Sequence, residues 1–249
     1  MHRYAIATGL LRLMFPHPGN ALVIGLGGGA VAREFTEYGW RVDAVEIDPL
    51  VVRVAKQYFD LRPREATIFQ TDGRRYLRQH PTTYDVIVLD AYGGSSIPFH
   101  MVTREFFGLV AAHLAPDGIL AVNVESRGWE DVLVRSITAT LHTQFTHVLA
   151  LPTGEPPNAL GNVVLLAAQH APTLDEAQLR RPFDYLKDDY LHFVVVQENH
   201  AWNNRYAPSE EGATVLTDDL NPADLWAEQI NRVARKELHS YFRERAVIW

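Results

Sequence analysis

The chain has no cysteine, which excludes disulfides, thiolate nucleophiles and Cys-ligated zinc together and says little about compartment. It has no apolar run approaching the roughly 20 residues that span a bilayer. The opening MHRYAIATGLLRLMFPHPGN carries an apolar patch, but Arg12 interrupts it and no small-residue cleavage site follows. It reads as a short amphipathic helix ending near Pro16 and not as a signal peptide, so no membrane insertion is expected and the compartment expected is the cytoplasm. No Lys/Arg run stands out among 23 basic and 30 acidic residues with a formal net charge of −7, which argues against nucleic acid as a partner. The 11 histidines form no His-Glu-x-x-His cluster, so no metal is expected. There is no Gly-x-Ser-x-Gly nucleophile elbow either.

What is present is ordinary globular composition, 47% hydrophobic and 21% charged over 249 residues, enough chain to bury one large α/β core. Short apolar runs alternate with helical stretches. Strands are expected at Ala21–Gly25, Val42–Glu46, Ala66–Gln70, Tyr84–Asp90 and Ile119–Val124, with a late pair near Thr146–Leu151 and Asn162–Ala168. Helices are expected between them, with Asp48-Pro49 as N-cap and first helical residue of one. Pro116-Asp117-Gly118 reads as a turn. Leu191–Gln197 reads equally as strand or helix, and Pro222 to about Arg243 as a helix with apolar positions Leu225, Ile230, Val233, Leu238 and Phe242. Strands alternating with helices imply a doubly wound, mostly parallel sheet. The division expected is an N-terminal helical segment (1–20), a nucleoside-binding domain (21–170) and a C-terminal extension (171–249) packed on the same domain. The aromatics of that extension (Tyr185, Tyr190, Phe193, Trp202, Tyr206 and Trp226) read as core packing or an interface.

Four features at strand ends point to a nucleoside. The first strand runs into Gly25-Leu26-Gly27-Gly28-Gly29, a turn whose backbone can approach a ligand with no Cβ in the way. Glu46 closes the second strand about 20 residues on, where a carboxylate in such folds accepts from both ribose hydroxyls, with Ile47 beside it. Asp72-Gly73 follows the third strand, the carboxylate placed for an exocyclic purine amine and the glycine leaving room for the ring; a plain N-cap is the other role for Asp72. Asp90 ends the fourth, apolar strand and faces the ligand crevice by the general rule for open α/β sheets. It is the leading catalytic candidate, with Tyr92 as an assistant. A dehydrogenase would share the glycines and Glu46 but not the Asp72-Gly73 and Asp90 pair.

The segments LVIGLGGGAVAREF, VDAVEIDPLVVRVAKQYF, TDGRRYL, YDVIVLDAY and LAPDGILAVNVES, in order and spacing, resemble the spermidine synthase (aminopropyltransferase) family over roughly residues 20–170. VLTDDLNPADLW resembles the ending of spermidine synthase-like proteins. The resemblance implies a class I methyltransferase-like fold with a seven-stranded sheet. It implies nucleoside contacts from Gly25, Gly27, Glu46, Asp72 and Asp90, and places Glu125 near an amine substrate. Asp218 and Asp219 are candidates for the cationic tail of that amine, or else a cap before the last helix. The implied co-substrate is S-adenosylmethionine or its decarboxylated form, and the candidate partners are the amine and a second copy of the chain. Three departures stand out. Only residues 1–20 precede the first strand, where the family carries a β-hairpin domain. Gly28 stands where the glycine loop of the family has an acid, and Gly93 where it has a second acid after the strand-four Asp. Aminopropyl transfer to an amine is the leading reading. The alternatives are a methyltransferase, with Gly28 making room for the donor carboxylate, and a nucleoside-binding protein with little activity.

Overall fold

A computed structural model describes residues 3–93, 97–174 and 189–245. Helix α1 (Arg3–Gly9) continues as a 3-10 turn (Leu10–Leu13) and leads into β1 (Asn20–Ile24). There follow α2 (Ala30–Glu37), β2 (Arg41–Glu46), α3 (Pro49–Tyr58), β3 (Thr67–Gln70), α4 (Gly73–Gln79) and β4 (Tyr84–Leu89). A 3-10 turn (Phe99–Met101), α5 (Arg104–Ala111), β5 (Leu114–Ser126), α6 (Val132–Leu141), β6 (His147–Pro152) and β7 (Gly161–Ala168) complete the sheet region, and α7 (Asp189–Asn203) and α8 (Ala223–Arg245) lie beyond it.

The seven strands lie in the order β3-β2-β1-β4-β5-β7-β6. Strands β1 to β5 pair in parallel, and β7 runs antiparallel to both β5 and β6. The order reverses between β1 and β4, the place where an open sheet of this kind leaves a crevice at its carboxyl edge. Alternate residues of each strand feed two apolar layers. Leu22, Ile24, Ile87, Leu89, Leu120 and Val122 face one, and Ala21, Val23, Val86, Val88 and Ala121 face the other. Both faces are therefore covered, which is why the strands read as continuous apolar runs.

Local sequence chemistry fixes the helix starts. The side chains of Asp48, Asp72, Thr103 and Asp131 each accept a backbone N–H in the first turn of α3, α4, α5 and α6, satisfying donors that the helix itself cannot.

One expectation changes, and one left open is decided. Pro116-Asp117-Gly118 does not end a connection but lies inside the 13-residue β5. Leu114 pairs with Tyr84 and Ile119 with Val86, so the extra residues bulge out while pairing resumes on either side. Leu191–Gln197 belongs to a helix, because Val194, Val195, Glu198, Ala201 and Trp202 are buried at the spacing of one helical face. Trp202 is buried, Tyr206 stacks on Trp129 with ring centres 5.3 Å apart, and Trp226 packs on the first core layer, whereas Phe193 is exposed. Tyr185 and the side chains of Tyr190, Leu238 and Phe242 lie outside the described residues.

Candidate active site

At the carboxyl edge of β1, β2, β3 and β4 lies a hollow of about 830 Å³, within the range of sites that enclose small ligands. The Gly25 turn forms its floor. With φ at +95° and the Asp90 carbonyl 2.3 Å from where a Cβ would sit, only glycine lets β1 turn this closely past the end of β4. Gly27 opens onto the hollow with nothing within 4 Å of its missing Cβ. Gly28 does not: a side chain there would point at the Phe59 ring, 3.0 Å away, and the residue is absent from the lining. The expectation that Gly28 makes room for a donor carboxylate is therefore corrected by the direction in which the turn aims that residue.

Glu46 lines the hollow with its carboxylate fixed by the loops on both sides. Oε2 accepts from the Leu26 amide at 3.1 Å and Oε1 from the Asp48 amide at 2.9 Å. Ile47 is exposed beside it and, with Val51 and Met101, supplies apolar wall. Asp72 serves two purposes at once. Oδ1 caps α4 through the Arg75 amide at 2.9 Å, while Oδ2 meets His100 Nε2 at 3.1 Å on the hollow's rim. Gly73 leaves the space that lets α4 start against Ile24.

The Asp90 carboxylate is held by neighbours from two segments. Asn123 of β5 donates Nδ2–H to Oδ1 at 2.8 Å, and Tyr4 of α1 donates its hydroxyl. Burial nonetheless outweighs these bonds and raises its carboxyl from the ordinary value to about 6. Asn123 is itself oriented by Asn162 of β7, whose Nδ2 reaches Asn123 Oδ1 at 3.0 Å. Glu125, half-buried on the same strand, is also pushed up by burial. Tyr92 lines the hollow, but its hydroxyl is committed: it donates to the Asn123 carbonyl at 2.9 Å and accepts from the Glu125 amide at 3.1 Å. Burial pushes its ionisation well up, with the charges of Asp90 and Glu125 adding to it. That geometry makes Tyr92 a brace for β5, and the catalytic role expected for it is revised accordingly.

Asp218 and Asp219 are brought elsewhere. Asp218 takes a two-pronged bond from Arg74 at 2.8 and 2.6 Å and a third from Thr103 Oγ1 at 2.8 Å. Arg74 holds its carboxyl below the usual range. Asp219 is exposed, and neither lines the hollow. Asp218 clasps the C-terminal segment to α4 and α5 in place of the substrate contact expected. Conversely, Tyr4, His100, Asn123 and Asn162 line the hollow without having been read from the sequence. Only Asn123 left a signal, as a lone amide within the apolar run ILAVNV.

The spermine/spermidine synthase domain family matches residues 6–175. The chain belongs to that family. A polyamine aminopropyltransferase of Vibrio vulnificus is 33% identical over 224 residues, covering 87% of this chain and 73% of that protein. A probable polyamine aminopropyl transferase of Bifidobacterium longum is 39% identical over 236 residues, covering 89% of this chain; the chain spans 52% of that relative's length. Among solved structures, a probable spermidine synthase from Corynebacterium glutamicum superposes with a TM-score of 0.65 at 22% identity, covering 88% of this chain and 80% of the other, which speaks to fold alone. Within the spermine/spermidine synthase family the fold is the class I methyltransferase-like sheet, and the hollow sits at its switch point.

Proposed function

We propose that this protein transfers an aminopropyl group from decarboxylated S-adenosylmethionine to a primary amine, and that the hollow is where it does so. The observation that carries the reading is the charge of the lining. Glu46, Asp48, Asp72, Asp90 and Glu125 all line the hollow, and among the described residues no lysine or arginine does. A sulfonium with an ammonium tail, followed by a second amine, suits five carboxylates. Among the described lining residues the carboxylate of intact S-adenosylmethionine would meet five acids and neither lysine nor arginine. The methyltransferase alternative had looked to Gly28 for that group, and Gly28 faces Phe59.

In this reading Glu46 accepts from the ribose hydroxyls and Asp72 from the purine amine, while Gly27 lets the backbone lie against the nucleoside. The acceptor nitrogen attacks the methylene carbon that joins the aminopropyl chain to sulfur. The C–N bond forms as the C–S bond breaks, the electron pair leaves with sulfur, and methylthioadenosine departs as a neutral thioether. Asp90 takes the proton that the amine gives up, its carboxylate oriented by Asn123 and Tyr4. Glu125 holds the far end of the acceptor. Positioning supplies most of the acceleration, because nucleophile, carbon and leaving sulfur have only to be held in line.

Calorimetry with both donors, followed by incubation with a panel of polyamines, tests the proposal. Tight binding of the decarboxylated donor and release of methylthioadenosine are expected. Binding of S-adenosylmethionine alone with release of S-adenosylhomocysteine would replace the reading by methyl transfer. Binding without turnover would leave a nucleoside-binding protein.

A further inference from the structure

Helix α1 has seven residues and carries Tyr4 in its first turn. A helix so short has no stability of its own in water, so its place is set by what it packs against. The 3-10 turn that continues it carries Arg12 inward, where the guanidinium is 1% exposed. There Nη2 meets Oε1 of Glu198 on α7, also 1% exposed, at 2.7 Å, and Oε1 of Glu34 on α2 at 3.4 Å. Nη1 donates to the Gly9 carbonyl at 2.5 Å, and the group lies over the Tyr38 ring at 4.1 Å. One buried cation thus joins the first helix to two helices whose partner acids are 164 residues apart in the chain.

We propose that the buried Arg12–Glu198 ion pair is a positioning device for the reaction: it fixes α1 along its axis so that the Tyr4 hydroxyl meets Asp90. The C-terminal segment thereby acts on the reacting centre through Tyr4. Apolar side chains alone tolerate small sliding of one helix on another. A buried charge with its counter-ion at hydrogen-bond distance does not, because displacement leaves the charge uncompensated. Arg12 lies eight residues from Tyr4 on one continuous helical segment, a lever roughly 12–15 Å long. The inference rests on Asp90 as the proton acceptor.

The groups facing Asp90 are Tyr4 from α1, Asn123 from β5 and the adjoining Tyr92, with Glu125 lining the same hollow. Its ionisation therefore reports where Tyr4 sits. The test is a carboxyl-carbon NMR titration of Asp90 in the ligand-free full chain, its resonance assigned with Asp90→Asn. The variants are Tyr4→Phe, Glu198→Ala, the charge-free pair Arg12→Met/Glu198→Met, and Tyr4→Phe/Glu198→Ala. Turnover and methylthioadenosine affinity are measured alongside.

Loss of the Tyr4 bond raises the midpoint of Asp90. Removing the negative charge of Glu198 would by Coulomb's law lower it, so an upward shift in Glu198→Ala isolates the route through Tyr4. The charge-free pair leaves no unpaired buried charge and keeps the measurement available should the single variant fail to fold. Both are expected to shift the midpoint upward, to cut kcat at least about tenfold and to leave methylthioadenosine affinity within twofold. Adding Tyr4→Phe to Glu198→Ala is expected to change nothing further. Wild-type midpoints in the folded charge-free pair, with Tyr4→Phe still shifted, would overturn the proposal; so would additive shifts. A wild-type protein without transferase activity would sink the proposed reaction but leave the midpoints to decide this inference.

Discussion

Asp90 binds its proton with opposite consequences for the reaction and for the fold. In the proposed reaction the ionised carboxylate takes the proton, so kcat is expected to fall as pH drops through about 6, the value to which burial lifts the group. The fold responds the other way. Between the ordinary carboxylate range and about 6 the folded chain holds a proton that the unfolded chain has released, so this group's contribution is fully present at low pH and lost as pH rises through about 6. Asp90→Asn should therefore raise stability at pH 8 by about 1–3 kcal/mol, an advantage that vanishes at pH 4, where both side chains are neutral. The same substitution should lower turnover by about 10²–10⁴-fold, with methylthioadenosine affinity little changed. Paired urea titrations at the two pH values, with initial rates at the higher one, check both signs. Glu46→Gln belongs to the same scale. It loses charge where two backbone amides converge and where the proposed reading seats the ribose, and methylthioadenosine binding should weaken by about 1–3 kcal/mol, read by calorimetry.

At the scale of elements, two contacts between segments decide whether the hollow exists. The β1 turn passes β4 so closely that a Cβ at Gly25 would overlap the Asp90 carbonyl at 2.3 Å. Gly25→Ala must open that turn and adopt an unfavourable φ, and should cost about 2–4 kcal/mol in urea unfolding. The clasp of Asp218 on Arg74 holds the segment before α8 to α4 and α5. Asp218 is 42% exposed, so solvent screens the pair and Asp218→Asn should cost no more than about 1 kcal/mol. Its KM for the amine should match the wild type, whereas Glu125→Gln should raise that KM severalfold. A rise in amine KM for Asp218→Asn would return that residue to the substrate site.

Across the whole molecule, a net charge of −7 surrounds a hollow lined by five carboxylates. A polycationic acceptor is drawn toward such a surface, and mobile ions screen the attraction over about 10 Å at 0.1 M. The KM for a diamine and the KM for the donor, each carrying two positive charges, should both rise steadily between 50 and 500 mM salt, as initial-rate measurements would show. The sequence by itself determined the alternation of strands and helices, the Asp48 cap, and the acids Glu46, Asp72 and Asp90 at strand ends. Each is a local pattern: a doubly covered parallel strand must be apolar to its end, so an acid at that end stands out. Only the tertiary structure decided which other groups join them. Tyr4 lies 86 residues from Asp90, Asn123 lies 33 and His100 lies 28 from Asp72, and no periodicity links positions that meet only when the sheet closes. It also turned Gly28 toward Phe59 and Asp218 toward Arg74. Side-chain direction at a turn and competition among ion-pair partners depend on the packed neighbours, and those are not written in the residue or its spacing.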